Sequence, residues 1–268
     1  MKHNIKEIIQ TILSLKGLTI GKASNKESIL SLIKALHPIQ TDKELIRFGA
    51  KGDGGYLVPD DLDGIKTCFS PGVGEFSTFE EDCVKHGMEV FLADKSVDGP
   101  TVENEHFHFI KKFIGVRTND DFITLPDWIN SSIEDTDSDL LLQMDIEGHE
   151  YLSILSMPDA ILTKFRIIVI EFHYLEKLWN KEFFNLAAES FNKILTNHTC
   201  IHIHPNNLCG ISRIRGVEIP KAAEFTFIRN DRFKNMGPQT NFPHPLDFDN
   251  ISKNAVILPE CWFSNLSK

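Results

Sequence analysis

The stretch Leu140-Leu-Leu-Gln-Met-Asp145-Ile-Glu147-Gly148-His149-Glu150 decides the fold class of this chain. Its apolar first half is typical of a parallel strand that is buried on both faces. The strand runs directly into acidic residues, a glycine and a new amphipathic segment. In an open α/β sheet, ligands bind just beyond the carboxyl ends of the strands. We therefore expect Asp145 and Glu147 to lie in a functional crevice rather than on a solvated face.

A second strand-to-turn pattern lies upstream, at Thr67-Cys-Phe-Ser-Pro-Gly72-Val-Gly74-Glu75. Glycines at a strand end let the backbone approach a ligand without a Cβ in the way. The next predicted strand ends in Asp94, and an acid about 20 residues after a Gly-rich turn is typical of nucleotide binding. We predict that Gly72, Gly74, Glu75 and Asp94 bind a nucleoside cofactor, with Asp94 on the ribose hydroxyls. The alternatives are a plain tight turn and a helix-capping or surface acid.

From Arg47 onward, strand and helix patterns alternate along the chain. We predict strands near 66–71, 89–94, 107–115, 139–145, 166–173, 199–204 and 224–230, and helices near 75–87, 121–132, 148–157 and 181–196. Strict alternation implies an α/β fold with a mostly parallel sheet covered on both faces. The last two strands have no helical pattern between them, so we expect a hairpin-like pair and a mixed sheet edge.

Three regions follow from these patterns. Apolar residues at helical spacing predict amphipathic helices at 5–17 and 27–36, within an N-terminal segment (1–45) that serves as a cap or an oligomer contact. The catalytic domain is expected to cover 46–232. The remaining residues, 233–268, are rich in Pro, Asn and Phe and are predicted to form an irregular tail on that domain.

Bulk properties exclude several classes of protein. The 268 residues carry a formal net charge of −10, which argues against nucleic-acid binding because that needs a basic surface. The five cysteines form no CxxC pair, so reduced thiols and a cytoplasmic location are expected. No apolar run approaches the ~20 residues that would span a bilayer.

A further set of polar residues follows the buried stretch Ile167-Ile-Val-Ile-Glu171-Phe-His173. Glu171 and His173 are two residues apart and share one face of the strand. If this strand lies next to the one that ends at Asp145, the three side chains converge on one crevice. They would then supply a general base or bind a divalent cation, with magnesium or manganese favoured over zinc. We assign Asp145, His149, Glu171 and His173 to catalysis, and Asp145, Glu171 and His173 to the metal.

Another histidine pair, His202 and His204, alternates along a predicted strand that continues into Pro205 and Asn206. Two histidines on one face suit zinc, but a third protein ligand would have to come from elsewhere. Hydrogen bonding of the substrate by His204 and Asn206 is the alternative that we adopt.

Taken in order, these motifs resemble the FkbM-type methyltransferases. The resemblance rests on Gly72-Val-Gly74-Glu75, on Asp94, on Thr124-Leu-Pro-Asp127-Trp-Ile and on Asp145-Ile-Glu147-Gly148-His149-Glu150, which fits the family's Asp-(Ile/Val)-Glu-Gly-x-Glu signature. It covers about residues 47–230, and Gly52-Asp-Gly-Gly-Tyr-Leu-Val resembles a segment that precedes the core in some relatives.

The resemblance implies a class I methyltransferase-like (Rossmann-like) fold with S-adenosylmethionine as methyl donor and cofactor, to which Asp145 would also contribute. The acceptor it implies is a hydroxyl on a sugar, glycan, nucleotide-linked sugar or natural product. Two alternatives from other classes stay open. A metal-dependent hydrolase would use His202, His204, Glu171 and Asp145. A non-catalytic cofactor-binding protein would keep Gly72 and Asp94 and dock a partner through its N-terminal helices.

Overall fold

The computed structural model describes residues 2–15, 17, 21–74, 76–133, 138–252 and 254–264. The strands, in chain order, are β1 (Ile39–Thr41), β2 (Leu45–Phe48), β3 (Tyr56–Pro59), β4 (Thr67–Pro71), β5 (Glu89–Ala93), β6 (Phe107–Ile110), β7 (Phe113–Ile114), β8 (Phe122–Ile123), β9 (Leu140–Met144), β10 (Phe165–Phe172), β11 (His198–Pro205), β12 (Ile211–Ile214), β13 (Val217–Pro220), β14 (Ala223–Arg229) and β15 (Asn235–Pro238). The α-helices are α1 (Lys2–Ser14), α2 (Lys26–Ala35), α3 (Thr78–Lys85), α4 (Leu125–Ser132), α5 (Glu150–Ser156), α6 (Asp159–Leu162) and α7 (Lys181–Leu195), and two 3₁₀ helices cover Leu175–Trp179 and Glu260–Trp262.

One seven-stranded sheet organises the chain, in the order β11-β14-β10-β9-β4-β5-β6. All neighbours from β10 to β6 pair in parallel, and β14 runs antiparallel to both β10 and β11. The predicted mostly parallel sheet with a mixed edge is therefore confirmed. The chain builds outward from β4 to β6 on one side and from β9 on the other. The switch point between β4 and β9 is where such a sheet leaves a ligand crevice.

Alternating residues of the central strands pack into two separate apolar cores, one on each face of the sheet. Leu140, Leu142 and Met144 belong to the core that also holds residues of α2, α4, α5 and α7. Leu141 belongs to the other core, which includes residues of β2, β3 and α3. Because side chains of a strand point to opposite faces in turn, the near-continuous apolar run of β9 is explained by burial on both faces.

The N-terminal helices differ in how they are buried. Ile29 and Ile33 of α2 are fully buried in the same core as β9 and β10, so α2 is an integral part of the domain's packing. In α1, by contrast, Ile8, Ile9 and Ile12 are exposed. None of the described helices is long and apolar enough to cross a membrane.

Two predicted elements are wrong between β5 and β9. The single strand predicted at 107–115 is interrupted, because β7 leaves the main sheet and pairs with β8. The helix predicted from residue 121 begins instead at Leu125, after Thr124 accepts a hydrogen bond from the Asp127 amide. Phe122 and Ile123 thus belong to a strand. Upstream, α3 is also shorter than the predicted 75–87, since Gly87 adopts a φ of +81° and ends the helix.

The region after β11 is more regular than the sequence predicted. The connection to β14 contains the hairpin β12–β13, whose turn residues Arg215 and Gly216 have φ of +53° and +76°, as expected for a tight two-residue hairpin turn. The tail is not wholly irregular either, because β15 pairs with β1. This pairing ties residues 235–238 to the N-terminal part of the chain.

Candidate active site

The turn after β4 fits closely against the end of β9. The amide of Asp145 donates to the carbonyl oxygen of Pro71 at 3.1 Å, and the amide of Gly72 donates to that of Ala93 at 3.1 Å. Gly72 has a φ of +94°, and a Cβ at this position would overlap the carbonyl oxygen of Asp145. Only glycine fits both the conformation and the approach, so the predicted tight turn requires Gly72. At Gly74, a Cβ would meet open space.

Asp94 is bonded to the same turn. Its Oδ2 accepts from the amide of Val73 at 3.1 Å, and its Oδ1 accepts from the amide and hydroxyl of Ser96 at 2.7 and 2.6 Å. Oδ1 already accepts two hydrogen bonds, so the acceptor site that stays open on this carboxylate is on Oδ2. The predicted pairing of the glycine turn with this acid is therefore a direct contact.

A cavity of about 380 Å³ opens at the switch point of the sheet. It is lined by Gly72, Ala93, Asp94, Ser96, Phe113, Ile114, Phe122, Asp145, Ile146, Glu147 and His149. The structure thus brings together three of the predicted cofactor residues, Gly72, Asp94 and Asp145. Gly74 is not part of this lining, and Glu75 lies outside the described residues.

A second group of side chains surrounds the imidazole of His173, just beyond β10. Its Nε2 lies 3.8 Å from Asp145 Oδ1, 3.7 Å from Glu171 Oε1 and 3.5 Å from Glu147 Oε2. The predicted convergence of Asp145, Glu171 and His173 follows from the parallel pairing of β9 with β10. Asp145 belongs to both groups, so the cavity and the His173 cluster form one continuous site.

Glu150 is a member of this cluster that sequence reasoning did not assign. It is fully buried, and its Oε1 lies 3.1 Å from Nδ1 of His173. The only signal in the sequence is its place at the end of the Asp-Ile-Glu-Gly-His-Glu motif. A glutamate at the start of a helix is normally interpreted as part of a capping pattern.

The electrostatics of the cluster shift the pKa values of its members. Burial, reinforced by Glu150 and Glu147 against the opposing charge of His173, raises the pKa of Asp145 to about 7. Burial, with Asp145 and Glu224 nearby, raises the pKa of Glu171 well above its usual value. Burial opposes protonation of His173, but the hydrogen bond to Glu150 and the adjacent carboxylates raise its pKa to about 9. At neutral pH, His173 and Glu171 are therefore protonated, and Asp145 is partly protonated.

Further polar side chains extend from the carboxyl group of Glu171 across the neighbouring strands of the sheet. Asn206 donates from Nδ2 to Glu171 Oε1 at 2.8 Å, and Glu224 is the cross-strand neighbour of both Glu171 and His204. Burial raises the pKa of Glu224 to about 7, against the opposing charge of His204. Asn250 from the tail donates to Glu224 at 3.2 Å. Sequence patterns gave no sign of Glu224 or Asn250, because their contacts depend on the insertion of β14 between β10 and β11.

The predicted substrate residues are held by other parts of the chain. His204 is buried, with Nε2 3.1 Å from the carbonyl oxygen of Phe248 and Nδ1 3.6 Å from Asp247. His202 contacts the same aspartate at 2.8 Å. Asn206 also uses its side-chain oxygen to accept from the amide of Leu208 at 2.8 Å. A direct role of His204 and Asn206 in substrate binding remains a prediction.

The segment 49–55, between β2 and β3, lies beside the acidic cluster. Arg47 shapes it by donating to the carbonyl oxygens of Ala50 at 2.7 Å and Gly52 at 2.9 Å. Asp53 accepts from Asn250 at 3.1 Å and contributes to the raised pKa of Asp145, after burial and nearer charges. This places the Gly-Asp-Gly-Gly-Tyr motif next to the predicted catalytic residues.

Metal binding was predicted for Asp145, Glu171 and His173. The structure brings ligand atoms of Asp145, Glu147 and His173 within 4.8 Å of one another, and Glu171 is a neighbour of the same imidazole. Oδ1 of Asp145 is buried without a hydrogen-bond partner among the described residues. Two or three carboxylates with one imidazole form a donor set that suits a hard divalent cation, so the residues present fit such an ion.

The sheet order and the crevice at its switch point define a class I methyltransferase fold, as the sequence predicted. The family model of the methyltransferase FkbM domain matches residues 66–198, so this chain carries an FkbM methyltransferase domain. That span runs from just before β4 to the first residue of β11 and contains the turn, Asp94 and the whole His173 cluster. The resemblance stated from the motifs alone is therefore confirmed.

Solved structures give weaker matches. Magnesium protoporphyrin IX methyltransferase from Synechocystis, with bound SAH, is 12% identical, covering 63% of this chain and 76% of that one at a TM-score of 0.31. A Burkholderia thailandensis 1,6-didemethyltoxoflavin-N1-methyltransferase is 11% identical, covering 63% and 72% at 0.30. Spermidine synthase from Thermotoga maritima is 10% identical, covering 80% and 81% at 0.34. No curated protein sequence matches this chain. The activity must therefore be argued from the chain's own residues.

Proposed function

We propose that this chain is an S-adenosylmethionine-dependent O-methyltransferase that acts on a hydroxyl of a sugar or sugar-containing acceptor. One observation supports this most strongly. The cavity beside Gly72 and Asp94 and the cluster around His173 share Asp145. A nucleoside cofactor in the cavity would then place its reactive end against a group of proton-accepting side chains, as methyl transfer to a hydroxyl requires.

The cofactor side of the site has a polar and an apolar half. Asp94 can accept a ribose hydroxyl at Oδ2, and Gly72 lets the backbone approach the cofactor. Phe113, Ile114 and Phe122 line the same cavity and offer an apolar surface for an adenine ring. Once bound, S-adenosylmethionine would supply the activated methyl group. The contribution of this chain is to hold the acceptor in line with that group, which can lower the barrier by about 7–11 kcal/mol.

Proton removal from the acceptor falls to the Asp145–His173 pair. A general base works best when its pKa lies near the operating pH, and Asp145, with a pKa of about 7, meets this condition. His173, with a pKa of about 9, is charged at neutral pH, and its positive charge opposes the rise in the pKa of Asp145. His149 lines the cavity and is exposed. It is the other candidate base predicted from the sequence.

The acidic surroundings narrow the acceptor class. Asp53, Asp145, Glu147, Glu171 and Glu224 all lie on this side of the site and influence one another's charge. Like charges repel strongly where solvent is excluded. A neutral polyol or an amino sugar can bond to these carboxyl groups whether or not they carry protons, whereas a phosphate near the reacting hydroxyl would be repelled by those that are ionised.

The hydrolase alternative loses its support from the geometry. It needs His202 and His204 to join Glu171 and Asp145 around a metal, whereas their bonded ring nitrogens face Asp247 and the Phe248 carbonyl. Metal-assisted methyl transfer remains compatible with Asp145, Glu147 and His173, with Glu171 beside them. A bound cation would lower the pKa of the acceptor hydroxyl.

The decisive experiment has two parts. Calorimetric titration with S-adenosylhomocysteine should give micromolar binding to the purified chain. Methyl transfer from radiolabelled S-adenosylmethionine to a panel of sugars, amino sugars and sugar nucleotides should label a hydroxyl, which mass spectrometry and NMR identify. Full activity in EDTA would leave the Asp145–His173 pair as the proton acceptor, whereas loss restored by magnesium or manganese would establish the metal. Absence of S-adenosylhomocysteine binding would refute the proposal.

We also propose a cytoplasmic location for the enzyme. All five cysteines are free, which supports the prediction that the enzyme works in the reducing cytoplasm. The acidic balance of the chain likewise supports a small-molecule or glycan acceptor over a nucleic acid.

A further inference from the structure

Glu150 is the first residue of α5, and one of its carboxylate oxygens lies within hydrogen-bond distance of three nitrogen atoms. Its Oε1 accepts from the amide of Ile146 at 3.2 Å and from that of Gly148 at 2.9 Å. The same oxygen lies 3.1 Å from Nδ1 of His173. Because Oε1 already accepts from two backbone amides, we take it as the acceptor here too, so that Nδ1 of His173 carries a proton and donates.

This contact determines which ring nitrogen is available at the site. With Nδ1 bonded to Glu150, Nε2 is directed toward Asp145 Oδ1 at 3.8 Å and Glu171 Oε1 at 3.7 Å. The backbone of His173 is held separately, because the hydroxyl of Tyr151 donates to its carbonyl oxygen at 2.7 Å. Adjacent residues of α5 therefore fix the side chain and the backbone of the same histidine.

A role in stability alone does not account for Glu150. Its Oε2 is buried without a hydrogen-bond partner among the described residues, and an unsatisfied buried carboxylate oxygen costs stability. The backbone amides at the start of a helix can be hydrogen-bonded equally well by an exposed Ser, Thr, Asp or Asn side chain. A buried acid beside an imidazole is instead typical of catalytic pairs, in which a carboxylate fixes the orientation of a histidine.

We propose that Glu150 is the positioning residue of this active site, which holds the imidazole of His173 so that Nε2 faces Asp145 and the methyl acceptor. The inference rests on the proposed function, because it assumes that His173 serves the acceptor. Glu150 itself does not touch the acceptor and acts through His173. It also fixes the loop 146–149, from which Ile146, Glu147 and His149 line the cofactor cavity.

The test compares three variants of the full chain. Glu150→Ala removes the acceptor oxygen, Glu150→Gln retains it without the charge, and Tyr151→Phe removes only the bond to the backbone of His173. In protein labelled with ¹⁵N-histidine, a hydrogen-bonded ring N–H that is buried gives a slowly exchanging, strongly downfield proton resonance. His173→Gln identifies that resonance by its loss. Thermal melting of each variant separates misfolding from a local change.

We expect the His173 N–H resonance to disappear in Glu150→Ala and to persist in Glu150→Gln and Tyr151→Phe. With an acceptor from the screen, kcat should fall about 10- to 100-fold in Glu150→Ala, the effect typical of removing a group that orients an active-site histidine, and fall less in Glu150→Gln. The acceptor KM should change little. Persistence of the resonance, or a wild-type kcat, in folded Glu150→Ala would overturn the inference.

The spectroscopic arm needs neither cofactor nor acceptor, which separates the two proposals. If the wild-type chain binds no S-adenosylhomocysteine, the proposed function fails while the resonance still reports on the Glu150–His173 contact. If methyl transfer is observed but Glu150→Ala retains both the resonance and its kcat, the positioning role alone fails.

Discussion

Gly72 and Asp145 meet backbone to backbone at the switch point of the sheet, so closely that a Cβ on Gly72 would overlap the carbonyl oxygen of Asp145. The two residues end adjacent parallel strands, and the Asp145 amide bonds to the Pro71 carbonyl. One contact therefore aligns the cofactor turn with the first residue of the acidic motif. It explains why a glycine is needed at a position where the sequence alone allowed a plain turn.

The first prediction uses the two glycines of this turn as a matched pair. Gly72→Ala would introduce both the overlap with Asp145 and a strained φ of +94°, so binding of S-adenosylhomocysteine should weaken at least about tenfold, equivalent to ~1.4 kcal/mol. Gly74→Ala meets open space and should change affinity by no more than about twofold. Calorimetry on both folded variants measures this difference. Equal dissociation constants would remove Gly72 from the cofactor site.

A second prediction concerns Asp94. Asp94→Ala should weaken S-adenosylhomocysteine binding by ~1–3 kcal/mol, the usual cost of leaving polar partners unpaired. The control is Ser96→Ala, which removes only the hydroxyl that bonds Asp94 Oδ1 at 2.6 Å and keeps the carboxylate. If Asp94→Ala folds and binds as tightly as the wild type, its role is confined to holding the turn.

The sequence was enough to assign five residues to the site, because each lies at or just beyond the carboxyl end of an apolar strand: Gly72, Asp94, Asp145, Glu171 and His173. Parallel strands place their carboxyl ends at one edge of the sheet, so their order is enough to bring these residues together. Glu150 was not assigned, because a buried carboxylate and a capping one look alike in sequence. Glu224, Asn250 and Asp247 could not be found either. Their positions depend on β14 inserting between two strands and on the path of the tail.

The two candidate histidines give a third prediction. His173 is largely buried and contacts Glu150, Asp145 and Glu171. His149, by contrast, is exposed, and its side chain makes no capping bond to α5 in the described part of the chain. His173→Gln should therefore reduce kcat by about 10²–10⁴-fold. His149→Gln should reduce it far less. Steady-state kinetics of methyl transfer decide between them, and the opposite ranking would make His149 the residue that serves the acceptor.

The N-terminal segment leads to a fourth prediction. In α1, Ile8, Ile9 and Ile12 are 58%, 44% and 55% exposed, while α2 packs into the domain core. We predict that α1 mediates self-association. Deleting residues 1–17 should lower the mass measured by light scattering and leave S-adenosylhomocysteine affinity unchanged. A constant mass, or a loss of affinity, would contradict this role. Deleting α2 as well should unfold the domain, since Ile29 and Ile33 are fully buried.

The last prediction concerns the contact between the tail and the sheet edge, where Asp247 lies between His202 and His204. Burial opposes ionisation of Asp247, but hydrogen bonds from both histidines hold its pKa well below its usual range. Burial also opposes protonation of His204, yet Asp247 and Glu224 raise its pKa to about 9. The side chains of Asp247 and His204 are 4% and 6% exposed, so the pair is screened little by solvent.

The pH dependence follows from these directions. Because folding raises the pKa of His204, protonated His204 stabilises the fold. This contribution is complete below the pKa of the unfolded state, about 6.5, and is lost as pH rises through about 9. Because folding lowers the pKa of Asp247, ionised Asp247 stabilises the fold. This contribution is complete above the pKa of the unfolded state, about 3.9, and is progressively lost as pH falls below that value. Both contributions are complete only between about pH 4 and 6.5.

Asp247→Asn should therefore destabilise the fold most within that window, by about 3–5 kcal/mol, the cost of removing one partner from a buried pair. The difference in melting temperature from the wild type should shrink toward pH 10 and again toward pH 3. Asp120→Asn, at an exposed aspartate, is the matched control and should show no such dependence. Thermal unfolding measured at pH 3, 5.5, 7.5 and 10 tests this, and a difference that stays constant across the range would show that the Asp247 charge does not anchor the tail.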